Sequence, residues 1–181
     1  MTRHGTIQFL RRWLLSVRGL RLDRTCQVGP AVSVGSRTWS ISPAKIHIDP
    51  ECQIEQGVEL NPWDGEIRLG RNVFLGPYVI IYGQGGVEIG DNTLIAMHSC
   101  ILSSNHTVPP PGQNIRAAPD ILLPTKIGKD CWLGAGVKVL GGVHIGDGCV
   151  VGAGSVVTKS LPEYSIAIGV PAKVVGNRIC K

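Results

Sequence analysis

One histidine stands at a break in an otherwise regular chain. Residues 103–116 read SSNHTVPPPGQNIR, with His106 at the opening of the stretch. An imidazole titrates near neutral pH, which suits it to act as a general base on a hydroxyl that is otherwise a poor nucleophile. A lone histidine is more often a surface or hydrogen-bonded core residue than a base, and what sets His106 apart is its place. Aliphatic residues recur every six positions at Ile48, Ile54 and Leu60, at Leu69, Leu75 and Ile81, and at Ile89, Ile95 and Ile101. They resume from Ile127 through Leu133, Val139, Ile145, Val151 and Val157. His106 is the sixth position counted from Ile101, and the hexapeptide due at 107 begins only at Ile127. The 20 residues 107–126 are therefore inserted without loss of register. That is the signature of a loop added to a rigid scaffold, and such loops commonly carry function. Prolines at 109, 110 and 111 stiffen it.

The scaffold that must hold this loop follows from the period. Six residues are too few for a helical repeat and fit a strand plus a turn. Three such units close a triangular coil, and stacked coils form a parallel β-helix, an all-β fold. The fifth position of each unit reads Cys52, Val58, Val73, Val79, Thr93, Ser99, Cys131, Val137, Val143, Cys149 and Ser155, all small or β-branched, as a narrow core requires. Asn105 is the misfit. Composition agrees: 24 Gly, 12 Pro and 5% aromatics exclude a helical bundle, and plentiful Val, Ile and Leu exclude a disordered chain. A length of 181 residues suits one domain. The six cysteines form no C-x-x-C pair. Cys52, Cys131 and Cys149 read as small core hydrophobes rather than nucleophiles or disulfide partners, in a reducing cytoplasm.

The net charge is +5, and Arg3, Arg11, Arg12, Arg18, Arg21 and Arg24 crowd the first 24 residues. This is either a solvated basic face or a surface for anionic partners. Ile7, Leu10, Trp13, Leu14 and Val17 recur at helical spacing, which predicts a short basic helix. It would cap the open end of the solenoid or lie on anionic membrane. The expected organisation is a cap over 1–25, the β-helix over 26–160 with the inserted loop 107–126, and an extended tail over 161–181. FLRRWLLSVRGL is too broken by arginine for a signal peptide, and no stretch is long enough to span a bilayer.

Several motifs together resemble the hexapeptide-repeat acyltransferases, in their O-acetyltransferase branch. They are the tandem hexapeptides, Ile95-Ala96, Ser-Ser-Asn-His, the proline-rich loop with Arg116, Ile127-Gly128, Trp132-Leu133-Gly134-Ala135 and the Gly169-Val170-Pro171-Ala172-Lys173 tail. The likeness runs over residues 45–178. It implies a left-handed parallel β-helix, a homotrimer, acetyl-CoA as co-substrate, and neither a tightly bound cofactor nor a metal. It also implies that His106 is the general base for direct attack of an acceptor hydroxyl on the thioester, with the oxyanion donor at the Gly134-Ala135 step. CoA would run along Trp132, Ala135, Ala153, Thr158 and Lys159, with Lys173 and Arg178 toward its phosphates. Asn105, Tyr78, Tyr82 and Arg116 would face the acceptor. Sugar acetyltransferases of the maltose and galactoside type carry an acceptor-binding Asn where this chain reads FLGPYVIIYG, with Tyr78 and Tyr82 but no Asn. That departure favours the polysaccharide-biosynthesis members. The resemblance thus implies an enzyme acting on a sugar or polysaccharide precursor, with no nucleic-acid partner; the reduced cysteines add the expectation of a cytoplasmic protein, and the basic N-terminus that of contact with the membrane periphery.

Two rivals come from the other histidines and from the fold itself. His144 lies 38 residues after His106. Subtracting the inserted 20 leaves 18, one full coil, so His144 is expected to stack on His106 at one strand spacing. A histidine cluster raises a zinc hydratase resembling the γ-class carbonic anhydrases. The H-x4-H pair that they need is absent, and His98 falls at a different hexapeptide position. The other rival is a non-catalytic β-helix scaffold. No acidic residue adjoins His106 in sequence, so a backbone carbonyl is the expected partner for its second nitrogen.

Overall fold

The computed structural model describes residues 20–35 and 45–178. The chain winds around a three-sided prism whose faces are columns of short parallel strands, one strand per coil. The first face stacks Leu20–Leu22, Lys45–Ile48, Glu66–Leu69, Val87–Ile89, Thr125–Ile127 and His144–Ile145. The second stacks Gln27–Val28, Gln53–Ile54, Phe74–Leu75, Leu94–Ile95, Trp132–Leu133, Val150–Val151, Ser165–Gly169 and Ala172–Asn177. The third stacks Ser33–Val34, Glu59–Asn61, Ile80–Tyr82, Cys100–Leu102, Lys138–Val139 and Val156–Val157.

The hexapeptide count fixes the register. Ile89 lies opposite Leu69 and Ile127, Ile95 opposite Leu75 and Leu133, and Ile101 opposite Ile81 and Val139. The repeating aliphatic positions are all buried, as is every fifth position from Cys52 to Ser155. Buried hydroxyls are satisfied by backbone oxygens of neighbouring coils: Thr93 Oγ1 donates to Gly128 O at 2.8 Å and Ser99 Oγ to Gly134 O at 3.1 Å. Cys131 and Cys149 occupy successive rungs, the Cys149 carbonyl accepting from the N–H of Trp132 beside Cys131. Desolvation pushes the Cys52 and Cys131 thiols up to about 11, which matches their reading as core filler.

Departures from the count of six fall at one edge. The step from Leu60 to Leu69 is 9 residues, from Ile81 to Ile89 is 8, and from Ile101 to Ile127 is 26. Each lies between a strand of the third face and the next strand of the first. The other two edges turn tightly through left-handed residues. Asn72, Asn92 and Asp130 serve the first-to-second edge, and Tyr78, His98, Gly136 and Gly154 the second-to-third. Insertions therefore collect along the third-to-first edge, although its turn from Val139 to Ile145 keeps the count of six through Gly142 at φ 82°.

The ends differ in detail from the sequence reading. Of the helix expected over residues 7–20, all but the last lie outside the described residues. Leu20–Leu22, assigned to the cap, is instead a strand paired with Ile46, His47 and Ile48, so the first coil starts before residue 26. The tail is a hairpin rather than a single extended segment. Ser165–Gly169 adds to Val150–Val151 in parallel, and Ala172–Asn177 folds back antiparallel on it.

Candidate active site

The inserted segment is an arm with an ordered base. It leaves the coil after Ser103, whose carbonyl accepts from Leu123 N at 2.8 Å, and its excursion occupies residues 104–123 rather than 107–126. Ser104–His106 and Asp120–Leu122 pair as an antiparallel ribbon, with His106 opposite Asp120. A 3-10 turn, Ile115–Ala117, closes over the ribbon. Its Asn114 cap accepts from Arg116 N at 3.0 Å.

This arrangement places two oxygens on the His106 ring. Asp120 Oδ1 lies 2.7 Å from Nδ1, and the Ile115 carbonyl 2.6 Å from Nε2. The backbone carbonyl expected on the second nitrogen is not there: Nδ1 is held by a carboxylate that the sequence reading missed, and the carbonyl lies on Nε2 instead. Asp120 is 14 residues away along the chain and adjacent only through the ribbon. A neutral imidazole carries one N–H and cannot donate to both oxygens, whereas an imidazolium can. The Asp120 carboxylate first, and the Ile115 carbonyl second, accordingly hold the His106 pKa above its ordinary value. The geometry is that of an imidazole with a second proton taken up. When the ring is neutral with Nδ1–H on Asp120, Nε2 presents a lone pair that needs a donor, and the Ile115 carbonyl marks where that donor would sit.

Because the coil is left after Ser103, His106 does not occupy a rung. The rung assigned to it belongs to Lys126, whose Nζ meets Glu88 Oε1 at 3.2 Å and whose strand neighbour is His144. The expected stacking of His144 on His106 is thus replaced by Lys126 on His144. His98 sits at the second-to-third edge with its ring stacked on Tyr78, centroids 5.3 Å apart. The three histidines occupy an arm, a face and a separate edge, and no group of three metal-ligating side chains comes together among the described residues.

The other site residues divide between edges. Asn105 lies on the arm, exposed, its Oδ1 accepting from His106 N at 3.1 Å. Arg116 lies on the arm's turn. Tyr82 is at the arm's edge, one coil earlier, its ring edge-on to Trp63 at 6.3 Å. Trp63 has no place in the sequence reading. Thr158 and Lys159 follow Val156–Val157 and lie on the arm's edge two coils beyond it. Tyr78, Gly134, Ala135 and Ala153 lie at the second-to-third edge instead, and Trp132 projects from the second face, 54% exposed. Those groups and His106 are separated by the width of the third face, on the order of 15 Å at ~3.3 Å per strand residue.

At the second-to-third edge the donors are specific. Gly134 N–H is spent on Val151 O at 2.8 Å, so Gly134 is not the donor of its step. The N–H groups of Ala135 and Ala153 make no hydrogen bond among the described residues, and the two lie on successive rungs. Gly134 is instead required for close approach. A Cβ there would come within 2.6 Å of Ala153 N. Lys173 lies in the returning strand opposite Ile168. Arg178 has a structural occupation, since its Nη1 donates to the carbonyls of Asp130 and Gly148 at 3.1 and 3.0 Å and lies 3.2 Å from the Asp130 carboxylate.

Stacked hexapeptide coils with a histidine-bearing arm define the class, and comparisons with known proteins agree. The bacterial transferase hexapeptide (six repeats) family matches residues 124–159, and the hexapeptide repeat of succinyl-transferase matches residues 66–101. A probable acetyltransferase of Mycobacterium tuberculosis, Rv3034c, is 37% identical over 92% of this chain and 58% of its own length. The galactoside O-acetyltransferase of Escherichia coli is 36% identical over 79% of this chain and 62% of its own. A putative acetyltransferase of Schizosaccharomyces pombe is 37% identical over 81% of this chain and 70% of its own. The chain thus spans about three fifths of the length of the first two relatives. Among solved structures, a galactoside acetyltransferase in complex with coenzyme A superposes with a TM-score of 0.59 at 25% identity, over 98% of this chain and 84% of that one. AntD, an N-acyltransferase from Bacillus cereus, shares the fold with a TM-score of 0.67 at 21% identity, over 88% of this chain and 81% of that one. This chain belongs to the hexapeptide-repeat acyltransferase family.

Proposed function

We propose that this protein moves an acetyl group from acetyl-CoA to a hydroxyl of a sugar or surface-polysaccharide precursor, with His106 as general base. The observation that carries this reading is the His106 ring on the proline-stiffened arm with Asp120 Oδ1 2.7 Å from Nδ1, an arrangement that leaves Nε2 to take the acceptor's proton once the ring is neutral. The acceptor oxygen loses its proton to Nε2 as it attacks the thioester carbonyl. The tetrahedral oxyanion takes a hydrogen bond from Ala135 N–H. The bond to sulfur then breaks, and the proton passes from His106 to the departing thiolate. No acyl-enzyme is needed, in keeping with cysteines that are core filler.

The unpaired N–H groups of Ala135 and Ala153, one strand spacing apart, suit the amide carbonyls of an extended pantetheine beside Trp132. Lys173 extends that track toward the phosphates, Thr158 and Lys159 reach it from the arm's edge of a neighbouring chain, and Arg178 is committed to Asp130. Asn105, Arg116 and Tyr82 face the acceptor from the arm's side, and Tyr78 from the other. In one chain the base and the oxyanion donor lie on different edges. A homotrimer that sets one chain's arm against the next chain's second-to-third edge brings them together, and a left-handed coil is the family's form. A cytoplasmic enzyme at the membrane periphery, reaching a lipid-linked sugar, fits the basic N-terminal residues.

The test is thiol release from acetyl-CoA across a panel of sugar and nucleotide-sugar acceptors. The wild type turns over at least one, and His106→Ala lowers kcat by about 10²- to 10⁴-fold. Full activity in the Ala variant would sink the mechanism.

A further inference from the structure

We propose that Asp120 is the positioning residue of the base, fixing its tautomer and anchoring it to the rigid coil. This rests on the reading of His106 as that base. The ribbon sets Asp120 directly across from His106, and its Oδ1 takes the Nδ1–H at 2.7 Å. Its other oxygen, Oδ2, accepts from Gln84 Nε2 at 3.3 Å. Gln84 belongs to the preceding coil, at the same edge. The carboxylate therefore links three elements: the outgoing strand of the arm, the returning strand, and the coil beneath. Without it the imidazole could rotate or carry its proton on Nε2, and neither state accepts a proton from the acceptor. Asp120 is itself the charged group in contact with the ring. The Ile115 carbonyl faces the ring's other side, and Arg116 follows on that same turn.

The role makes a claim that a purely structural one does not. The carboxylate raises the imidazole's pKa, so in the wild type the rise of kcat/KM with pH lies above the ordinary histidine value of 6.5. Removing the charge moves that rise to lower pH, even as the reaction slows. Asp120→Asn keeps the side chain's size and the ribbon's main-chain pairing, and a thermal melt matching wild type certifies its fold. The experiment reads the His106 ring nitrogens by NMR through a pH titration, which needs no acceptor, together with kcat/KM against pH.

Asp120→Asn is expected to titrate His106 at lower pH, to lose the single Nδ1–H tautomer, and to lower kcat by tenfold or more while the KM for acetyl-CoA holds. Asp120→Glu, which keeps the charge, restores part of the loss. The proposal is overturned if the Asn variant titrates and turns over as wild type does, or if Asn and Glu lose equally. Failure of the wider reading has a different signature: His106→Ala would keep its turnover.

Discussion

At the scale of the residue, the chemistry turns on which polar groups are already engaged. His106 sits between a carboxylate and a carbonyl. Gly134 has its N–H in the ladder, while Ala135 does not. Arg178 is held by Asp130 and Gly148. The thiols are engaged too, by burial and by carbonyls such as that of Gly70 on Cys52 and Gly146 on Cys131. With pKa values of about 11 they carry almost no thiolate at neutral pH. Iodoacetamide followed by mass spectrometry is therefore expected to leave Cys52 and Cys131 unlabelled in the native protein and to label both in denaturant. Rapid native labelling of either would mean a reactive cysteine. The inward placement of these residues was legible from the period alone. The carboxylate on His106 was not, since nothing in PPPGQNIRAAPD announces which of its residues the ribbon turns back toward the histidine.

At the scale of the element, the arm is separable from the coil. Ser103 O and Leu123 N already meet at 2.8 Å, and Thr125 Oγ1 donates to Leu102 O across the same gap. Replacing residues 104–122 with a short glycine-bearing turn is expected to leave the β-helix folded, with a melting temperature by circular dichroism within a few degrees of wild type. Acetyl transfer would be abolished. A collapsed melt would show that the arm is part of the scaffold. The sequence reading found the insertion because the frame resumes intact. It set the boundary three residues late because Ser103 and Ser104 differ in fate, one buried on the coil and one in the ribbon, without differing in type. That shift moved His106 off its rung and gave the rung to Lys126.

At the scale of the whole molecule, the three edges divide the labour. Two keep the count of six at every described turn, and one accumulates the additions, including the arm. His106 and Ala135 fall on different edges, so the proposed mechanism requires a site shared between chains. Light scattering is expected to give three times the chain mass. Dilution to a monomer should abolish turnover while circular dichroism holds, and a fully active monomer would require a different donor. The coil itself was determined by the sequence, because a six-residue period is a local rule that each hexapeptide obeys, and stacking equal coils follows from equal lengths. The tertiary structure alone decided which groups meet His106, which N–H groups stay open, and on which edge each half of the site lies. Those depend on an antiparallel ribbon within an aperiodic arm and on the backbone pairing of every rung, and no spacing along the chain records either.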